Sequence, residues 1–305
     1  MKILDGHSHM LQTTAPVDKL KKKVSEIEDF DMNRLMARLD DLGVSHFQTM
    51  AQDMTRIRGS WLGSNELAAD IQASAPERII SFAGAEPLDE RGHVNTRQLK
   101  EIEMMVVEKG LNGLLLTPPY GHYYSNDKRV YPFYEKAVEL DIPIYFHHSH
   151  MFGPPENCPL KYAQIWRLDD VVIDFPDLRF NAEHMGYPWT EELLAIMSRS
   201  PNVFTDIAMF IQPYKGLFNR KGRPLVLARN LAMARDYGVL DRVFYGSDYV
   251  GESIEEYINL VQRETAYIME GLNNDMKALG YKPLTDEEME GLLSENVKKL
   301  LKTIT

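Results

Sequence analysis

The sequence predicts an α/β protein that folds as a closed (β/α)8 TIM barrel with an extra helical segment at its C-terminal end. Short β-prone runs alternate with longer amphipathic segments along the 305 residues, which is typical of a parallel sheet covered by helices. Several histidine and aspartate residues directly follow the β-prone runs, where the loops of a barrel form its mouth. The turn Gly6-His7-Ser8-His9 lacks the glycine pattern that an open, doubly wound nucleotide-binding sheet would show after its first strand.

Eight strands and eight helices can be assigned in chain order. The strands are predicted near residues 2–6, 45–50, 79–84, 113–117, 143–147, 178–183, 202–206 and 243–247. The helical patterns lie near residues 30–43, 64–75, 96–109, 130–140, 160–174, 190–199, 224–238 and 252–272. Gly43 and Gly110 stand where the first and third helices should stop, because glycine readily adopts the left-handed conformation that ends a helix.

The whole chain, residues 1–305, is predicted to form one domain, because no linker or internal repeat interrupts the strand and helix pattern. Residues 273–305 are expected to be a helical appendage that packs on the barrel. Within it, the run Thr285-Asp286-Glu287-Glu288 predicts a helix start, since Thr followed by Glu three residues later can form a capping box. The long loops near 118–129 and 148–160 are expected at the mouth of the barrel.

Composition narrows the class of protein. Hydrophobic residues make up 44% and charged residues 26%, as in ordinary globular proteins, and no apolar run reaches the roughly 20 residues that span a bilayer. The formal net charge of -11 argues against nucleic-acid binding, which relies on clustered basic residues. The lone Cys158 cannot form an internal disulfide, and the N-terminus lacks a signal-peptide pattern. We therefore expect a cytoplasmic protein without a membrane or nucleic-acid partner.

The strand ends carry a set of metal-ligating residue types. His7 and His9 follow the first strand, and side chains two residues apart on a strand point to the same side. His147, His184 and Asp248 follow the fifth, sixth and eighth predicted strands. Histidines together with a carboxylate suit zinc or a similar divalent ion, whereas a structural zinc site would more often use clustered cysteines. The sequence therefore predicts a catalytic type of metal site at the mouth.

These residues resemble the amidohydrolase superfamily, in particular the amidohydrolase-related branch that includes aminocarboxymuconate semialdehyde decarboxylase. The likeness covers nearly the whole chain. It depends on an ordered set of motifs: Asp5-Gly6-His7-Ser8-His9, Pro143-Ile144-Tyr145-Phe146-His147, His184-Met185-Gly186-Tyr187-Pro188-Trp189, Asn202-Val203-Phe204-Thr205-Asp206, Gly246-Ser247-Asp248 and Glu295-Asn296.

The resemblance implies that His7, His9 and His147 bind the ion, that Asp248 binds it or holds its water, and that His184 is the acid/base residue. Binuclear members of the superfamily bridge two ions with a carboxylated lysine at the end of the fourth strand. Here that strand reads Gly113-Leu114-Leu115-Leu116-Thr117 and offers no lysine, so one ion is expected. The ligand types favour zinc, with manganese as the alternative.

Several further residues are candidates for substrate binding. Arg56 and Arg58 follow the second strand, where a guanidinium could bind a carboxylate through two hydrogen bonds. Tyr187 and Trp189 follow His184 and are expected to line or support the cavity. His150 is a further candidate for the pocket, whereas strand alternation directs the neighbouring His148 away from it.

The leading functional hypothesis is a metal-dependent hydrolase that opens a C–N or C–O bond in a small cyclic or carboxylate-bearing substrate. A non-oxidative decarboxylase of an aromatic or muconate-like acid is the alternative, since it would use the same residues. Decarboxylases of this branch usually have proline directly after the fifth-strand histidine, but here His148 follows His147, which favours hydrolysis. A metal-binding sensor or subunit without turnover is a third hypothesis. The resemblance also implies a homodimer.

Overall fold

The computed structural model describes residues 1–149, 154–211, 223–302 and 304, and it confirms the predicted barrel. A strand is present in each of the eight predicted positions. The barrel strands β1 to β8 are Ile3–Asp5, Val44–Met50, Ile79–Ala85, Gly113–Leu116, Ile144–Phe146, Phe180–Ala182, Val203–Asp206 and Val243–Phe244. Consecutive strands from β1 to β8 pair in parallel, so their carboxyl ends all meet at one end of the barrel.

The seam between β8 and β1 is closed by contacts just beyond the two strands. The Gly6 N–H donates to the Tyr245 carbonyl at 3.0 Å, and the Asp248 N–H donates to the His7 carbonyl at 2.8 Å. Beyond these contacts, the short strand Val250–Gly251 pairs in parallel with His9–Met10. The seam therefore brings the residues after β8 directly beside the histidines after β1.

Helices cover the outside of the barrel, as the alternation in the sequence predicts. The helices α1 to α8 are Met32–Leu42, Asn65–Ser74, Thr96–Val107, Tyr131–Glu139, Arg167–Asp174, Thr190–Arg199, Pro224–Asp236 and Ile254–Ala266. Asp31 caps α1 by accepting from the Asn33 and Arg34 N–H groups, and Gly43 ends it at φ 72°. Among the described residues, no helix is both long and apolar enough to cross a bilayer.

Two helices differ from the prediction. The pattern near 160–174 is interrupted: a 3₁₀ turn at Leu160–Ala163 precedes α5, which begins only at Arg167. The last barrel helix is longer than expected, because α8 continues through a π-helical turn at Tyr267–Gly271 into Leu272–Ala278. The predicted start at Thr285 is confirmed, with both hydrogen bonds of the capping box to Glu288 present.

A small second sheet, which the sequence pattern did not indicate, lies at the carboxyl end of the barrel. Its three antiparallel strands are Thr14–Pro16, Ser60–Leu62 and Gln52–Met54. Ser60–Leu62 is the central strand and pairs with the other two. The sheet thus connects the loop after β1 with the loop after β2, beside the helical turn Thr55–Arg58.

The C-terminal helix Asn296–Leu301 closes the opposite end of the barrel. Val297, Leu300 and Leu301 are buried in one cluster with inward-facing side chains of seven strands: Leu4, Met50, Ile80, Phe82, Leu115, Tyr145, Phe204 and Phe244. The Asn296 amide donates to the Leu240 and Val243 carbonyls at 3.1 and 2.8 Å, which holds the helix at the start of β8. The last helix of the predicted appendage therefore packs into the barrel core.

We expect Leu300→Ala to lower the free energy of unfolding by about 3 kcal/mol, because removing a fully buried leucine leaves a cavity. Leu279, which is 42% exposed, provides the matched control, and Leu279→Ala should change stability by less than about 0.5 kcal/mol. Urea unfolding monitored by circular dichroism measures both values. Equal stability of the two variants would show that the C-terminal helix does not plug the barrel.

Candidate metal centre

The first two histidines reach the mouth because two glycines let the chain pass closely at the end of β1. A Cβ on Gly6 would lie 2.8 Å from the Phe244 ring and 2.9 Å from Val297. A Cβ on Gly246 would lie 2.4 Å from the Cβ of His7. Larger residues at either position would force β1 and β8 apart, so these glycines allow His7 to sit at the seam.

Three histidine rings are fixed by an acceptor at their Nδ1 atom. His7 Nδ1 lies 3.0 Å from Asp206 Oδ2, and His147 Nδ1 lies 2.8 Å from Glu183 Oε2. His9 Nδ1 lies 2.8 Å from the Met50 carbonyl oxygen. Because carboxylate and carbonyl oxygens accept, each Nδ1 carries the proton. When such a ring is in its neutral form, its Nε2 lone pair is available for a metal ion.

Two of these three Nε2 atoms are buried and unsatisfied. Among the described residues, His7 Nε2 and His147 Nε2 have no hydrogen-bond partner. Three overlapping groups have ligand atoms within 4.8 Å of one another: His7, His9 and Asp248; His7, His184 and Asp206; and His147, Glu183 and His184. Buried polar atoms without a partner are costly, and neutral imidazole nitrogens are good ligands for zinc. These residues therefore fit a divalent metal ion.

The structure brings together the five strand-end residues that the sequence singled out. His7, His9 and Asp248 form one group, His147 and His184 belong to another, and the His184 ring lies 5.1 Å from the rings of both His7 and His147. This proximity is the arrangement that the predicted ligand set requires. The individual assignment of ligands and catalytic residues stays a prediction.

Asp248 lies beside the first two histidines. Its Oδ1 atom is 3.3 Å from His7 Nε2 and 3.6 Å from His9 Nε2. Burial alone would raise the pKa of this carboxyl group, but the nearby imidazoles of His7, His184 and His9 lower it below its usual value. Asp248 therefore stays ionised and can act as a ligand or as a proton acceptor. Its φ of 49° is rare for a non-glycine residue.

Asp206 is the acceptor for four donors and positions two histidines at once. Its Oδ2 accepts from His7 Nδ1 and from the Asn181 amide at 2.8 Å, and its Oδ1 accepts from the N–H groups of His184 at 3.0 Å and Ala208 at 3.1 Å. Burial would raise the pKa of Asp206, but the charge and hydrogen bond of His7 outweigh it and lower the pKa to about 2. A carboxylate with this many donors is suited to orient ligands.

Glu183 plays the corresponding part for His147. Its Oε2 atom accepts from His147 Nδ1, while its Oε1 atom lies 3.9 Å from His7 Nε2 and has no hydrogen-bond partner among the described residues. Burial would raise the pKa of Glu183, but the charge of His7 and the hydrogen bond from His147 lower it overall. Glu183 is thus an ionised, buried carboxylate between two candidate ligands.

His184 differs from the other three histidines because its Nδ1 atom has no hydrogen-bond partner among the described residues. Nδ1 lies 3.8 Å from Asp206 Oδ1, and Nε2 lies 3.7 Å from Glu183 Oε2. Burial lowers the pKa of this ring, which keeps it neutral near pH 7. Its backbone is left-handed, with φ 57°. A neutral, loosely held ring next to the ligand cluster is suited to proton transfer.

Glu183 and Asp206 were not proposed as site residues from the sequence, although both end predicted strands. Asp206 is the last residue of the run Asn202-Val203-Phe204-Thr205-Asp206. The rule that selected the histidines, a polar side chain at the carboxyl end of a strand, would also have selected these two carboxylates. The sequence does not show which nitrogen of each imidazole ring these two carboxylates face.

The candidate substrate-binding residues have different surroundings in the structure. Arg58 lies with its guanidinium carbon 4.6 Å from the centre of the Tyr120 ring, and that ring is 5.2 Å from the ring of His147. Arg56 instead donates to the Gly121 carbonyl, which is a structural contact. His150 lies outside the described residues.

The two aromatic residues after His184 support the wall of the mouth. Trp189 packs against a buried cluster that includes Met54, Tyr120 and Cys158. Tyr187 packs with the edge of its ring against Phe210, with ring centres 5.7 Å apart. As expected, His148 does not join the ligand groups: it is fully buried, and its ring lies 5.6 Å from Phe146.

We expect the purified protein to contain about one equivalent of a divalent metal, measured by elemental analysis, and His147→Ala to lose most of it. His93→Ala is the control, since the His93 side chain is 74% exposed.

The pH should also affect metal binding. Burial lowers the pKa of His7, but the charges of Asp206, Glu183 and Asp248 raise it well above 6.5 overall, so the ion must displace a proton. Apparent metal affinity should therefore fall as the pH is lowered from 8 to 6. Full metal content in His147→Ala would exclude this site.

We expect Asp206→Asn to weaken metal binding by about 10- to 100-fold, as judged by chelator competition. An amide has one oxygen, so it cannot accept all four hydrogen bonds, and its NH₂ group would face another donor. Asp236→Asn, on the exposed end of α7, is the matched control and should bind metal like the unmodified protein. If Asp206→Asn folds and retains full affinity, Asp206 does not orient His7.

Comparisons with known proteins give the family of this chain. The family model described as Amidohydrolase matches residues 4–303. A 2-keto-4-carboxy-3-hexenedioate hydratase from Sphingobium sp. (strain NBRC 103272 / SYK-6) is 32% identical over 177 residues, which cover 49% of this chain and 51% of that protein. The match thus spans about half the length of this curated relative.

Two solved structures share the fold over almost the whole chain. One is a probable 2-pyrone-4,6-dicarboxylic acid hydrolase from Acinetobacter baumannii, with a TM-score of 0.62, 14% identity and coverage of 99% of this chain and 100% of that one. The other is a dihydroxybenzoic acid decarboxylase from Polaromonas sp. JS666 with bound manganese, with a TM-score of 0.58, 15% identity and coverage of 99% and 97%. Since the family model spans nearly every residue, this chain belongs to the amidohydrolase family and is an enzyme of that superfamily.

Proposed function

We propose that this protein is a hydrolase that holds one divalent ion, zinc or alternatively manganese, and uses water to cleave a C–N or C–O bond in a small cyclic or carboxylate-bearing substrate. The observation that carries this proposal is the set of three imidazoles fixed through Nδ1, with the ionised Asp248 and the loosely held His184 beside them. A divalent ion bound there would lower the pKa of a coordinated water to about 7 and so supply a nucleophile at neutral pH.

Each of these residues has a separate role in the proposed reaction. His7, His9 and His147 would hold the ion through Nε2, because their Nδ1 atoms already donate to fixed acceptors. Asp248, with its lowered pKa, accepts the proton of the attacking water. His184 exchanges a proton with the group that leaves, which its lowered pKa and its lack of a short hydrogen bond allow.

Arg58 is the residue that best fits a carboxylate of the substrate. Its guanidinium lies on the Tyr120 ring, and Tyr120 in turn contacts His147, so the positive charge is one aromatic ring away from a metal ligand. A guanidinium can bind a carboxylate through two parallel N–H groups, and one Arg58 nitrogen, Nη1, also lies 3.8 Å from the Met54 sulfur. Arg56 is already engaged with the Gly121 carbonyl and supports the loop instead.

Two other reactions are supported by relatives and use the same residues. The curated relative is named as a hydratase, which also adds water, but to a carbon–carbon double bond of an acid. A structural neighbour is named as a decarboxylase, which removes carbon dioxide from an acid. We favour hydrolysis because His148 follows His147 where decarboxylases of this branch usually have proline. In every case an acid group on the substrate is expected.

We expect His184→Ala to retain its metal and to lose about a hundredfold or more in turnover, because it lacks the group that transfers the proton. Activity would be assayed on a panel that contains 2-pyrone-4,6-dicarboxylate and aromatic and muconate-like acids. Mass spectrometry of the products distinguishes the addition of one water from the release of carbon dioxide. His46→Ala, a half-buried histidine at the start of β2, is the control and should keep full activity.

Unchanged turnover in His184→Ala would remove this residue from the mechanism. Release of carbon dioxide without any water-addition product would place decarboxylation ahead of hydrolysis. Addition of water without cleavage of a ring or a second product would favour the hydratase reaction.

A further inference from the structure

We infer that Tyr257, on α8, is a positioning residue for the metal centre, because it holds the carboxylate of Asp5 that keeps Asp248 beside His7. This inference rests on the proposed function for the presence of the ion, and it deepens that proposal by adding a side chain from the outer helix layer. Tyr257 lies one turn after the start of α8, where a tyrosine carries no sequence signal of metal binding.

The Asp5 carboxylate joins the two backbone segments that carry His7 and Asp248. Its Oδ1 atom accepts from the Ser247 N–H at 2.9 Å and from the His7 N–H at 3.4 Å. Its Oδ2 atom accepts from the Ser247 hydroxyl at 2.6 Å and from the Tyr257 hydroxyl at 2.9 Å. Asp5, His7, Ser247 and Tyr257 are all buried, so water does not compete strongly for these bonds. A shift of Asp5 would therefore move the backbone at both candidate ligands.

The relative position of the ligands depends on how these two segments run side by side. The Asp248 N–H donates to the His7 carbonyl at 2.8 Å, and the His9 N–H donates to the Tyr249 carbonyl at 2.7 Å. In this register Asp248 Oδ1 lies 3.3 Å from His7 Nε2 and 3.6 Å from His9 Nε2. The seam thus sets the distances among three of the candidate ligand atoms.

Tyr257 connects this seam to the helix layer. Its fully buried ring has its centre 5.3 Å from that of Tyr249 and 5.9 Å from that of Phe47. The Tyr249 hydroxyl donates to the Ser253 carbonyl at 3.0 Å, and Ser253 caps the first turn of α8. The start of α8 is therefore fixed against the residue whose carbonyl accepts from His9.

The Tyr257 hydroxyl is one of two donors to Asp5 Oδ2. The other donor is the Ser247 hydroxyl, which also accepts from the Tyr249 N–H at 3.2 Å. A buried carboxylate oxygen that loses a donor turns toward another one, because buried polar atoms without partners are costly. Removal of the Tyr257 hydroxyl should thus displace Asp5 and Ser247, and with them Asp248.

The test compares Tyr257→Phe with Tyr134→Phe, because each change removes one hydroxyl from a fully buried tyrosine. The Tyr134 hydroxyl donates to the Ser125 carbonyl at 2.6 Å, in a loop that holds none of the candidate ligands. We expect Tyr257→Phe to weaken Zn²⁺ binding by about fivefold or more in chelator competition, somewhat less than the loss of a group that contacts a ligand directly. Tyr134→Phe should bind Zn²⁺ within about twofold of the unmodified protein.

Two further measurements separate positioning from a loss of general stability. Co²⁺ bound in place of zinc should show a shifted visible absorption band in Tyr257→Phe and an unchanged band in Tyr134→Phe, since the band depends on ligand geometry. In the Asp5→Asn background, Tyr257→Phe should cause little further loss of affinity, because both changes act on the same carboxyl group.

The inference is overturned if Tyr257→Phe, with a melting temperature no lower than that of Tyr134→Phe, binds Zn²⁺ like the unmodified protein, or if both variants lose affinity equally. If Tyr257→Phe does not fold, Ser247→Ala replaces it and removes the other hydroxyl from Asp5 Oδ2. Unchanged affinity in Ser247→Ala would then overturn the inference. Absence of metal binding in the unmodified protein would instead contradict the proposed function, and this inference would fall with it.

Discussion

The structure of the site depends on an excess of buried negative charge. Asp206, Glu183 and Asp248 all lie within 3.9 Å of a ring nitrogen of His7; the first two are buried, and the Asp248 side chain is 12% exposed. Burial lowers the pKa of His7, yet these three carboxylates together raise it well above its usual value. Without a metal, these carboxylates therefore favour the protonated form of His7. A divalent cation would supply the positive charge instead, since unpaired buried carboxylates are costly.

Closure of the barrel determines whether this charge cluster can form. Asp5, at the end of β1, accepts from the Ser247 N–H at 2.9 Å, the Ser247 hydroxyl at 2.6 Å and the Tyr257 hydroxyl at 2.9 Å. These bonds connect the first strand to the loop after the last strand and to α8. Asp248, the next residue after Ser247, is thereby brought beside His7. Asp5, the first residue of the Asp-Gly-His-Ser-His motif, thus has a structural role that is distinct from metal binding.

The sequence was sufficient for the barrel and for the histidines because both follow one simple rule. In a parallel barrel all strands end at the same edge, so any ligating residue at a strand end is automatically near the others. The rule works for His147 and His184, which are 37 residues apart in the chain but have ring centres separated by 5.1 Å. It fails for the small sheet at the mouth, because strands of three residues leave no readable alternation.

The same rule could not separate ligands from the residues that orient them. Asp206 and Asp248 both follow strands, and both carboxyl groups contact His7, one at Nδ1 and the other at Nε2. Which nitrogen faces which carboxylate depends on side-chain packing across the barrel, and periodicity carries no information about it. Asp248 also adopts a left-handed backbone, a state that no local sequence signal predicts for aspartate with certainty.

Two site residues with strained backbone conformations connect the fold to the proposed chemistry. Among the described site residues, the two assigned to proton transfer, His184 and Asp248, both have positive φ, at 57° and 49°. Such conformations persist in non-glycine residues only where neighbouring contacts enforce them, and they concentrate at functional sites. The contacts are visible here: the Asp206 carboxylate accepts from the His184 N–H, and the His7 carbonyl accepts from the Asp248 N–H. The Asp206 carboxylate and the His7 carbonyl both belong to the ligand cluster. The backbone conformation of the two proton-transfer residues is therefore held by residues of the same cluster that would bind the ion.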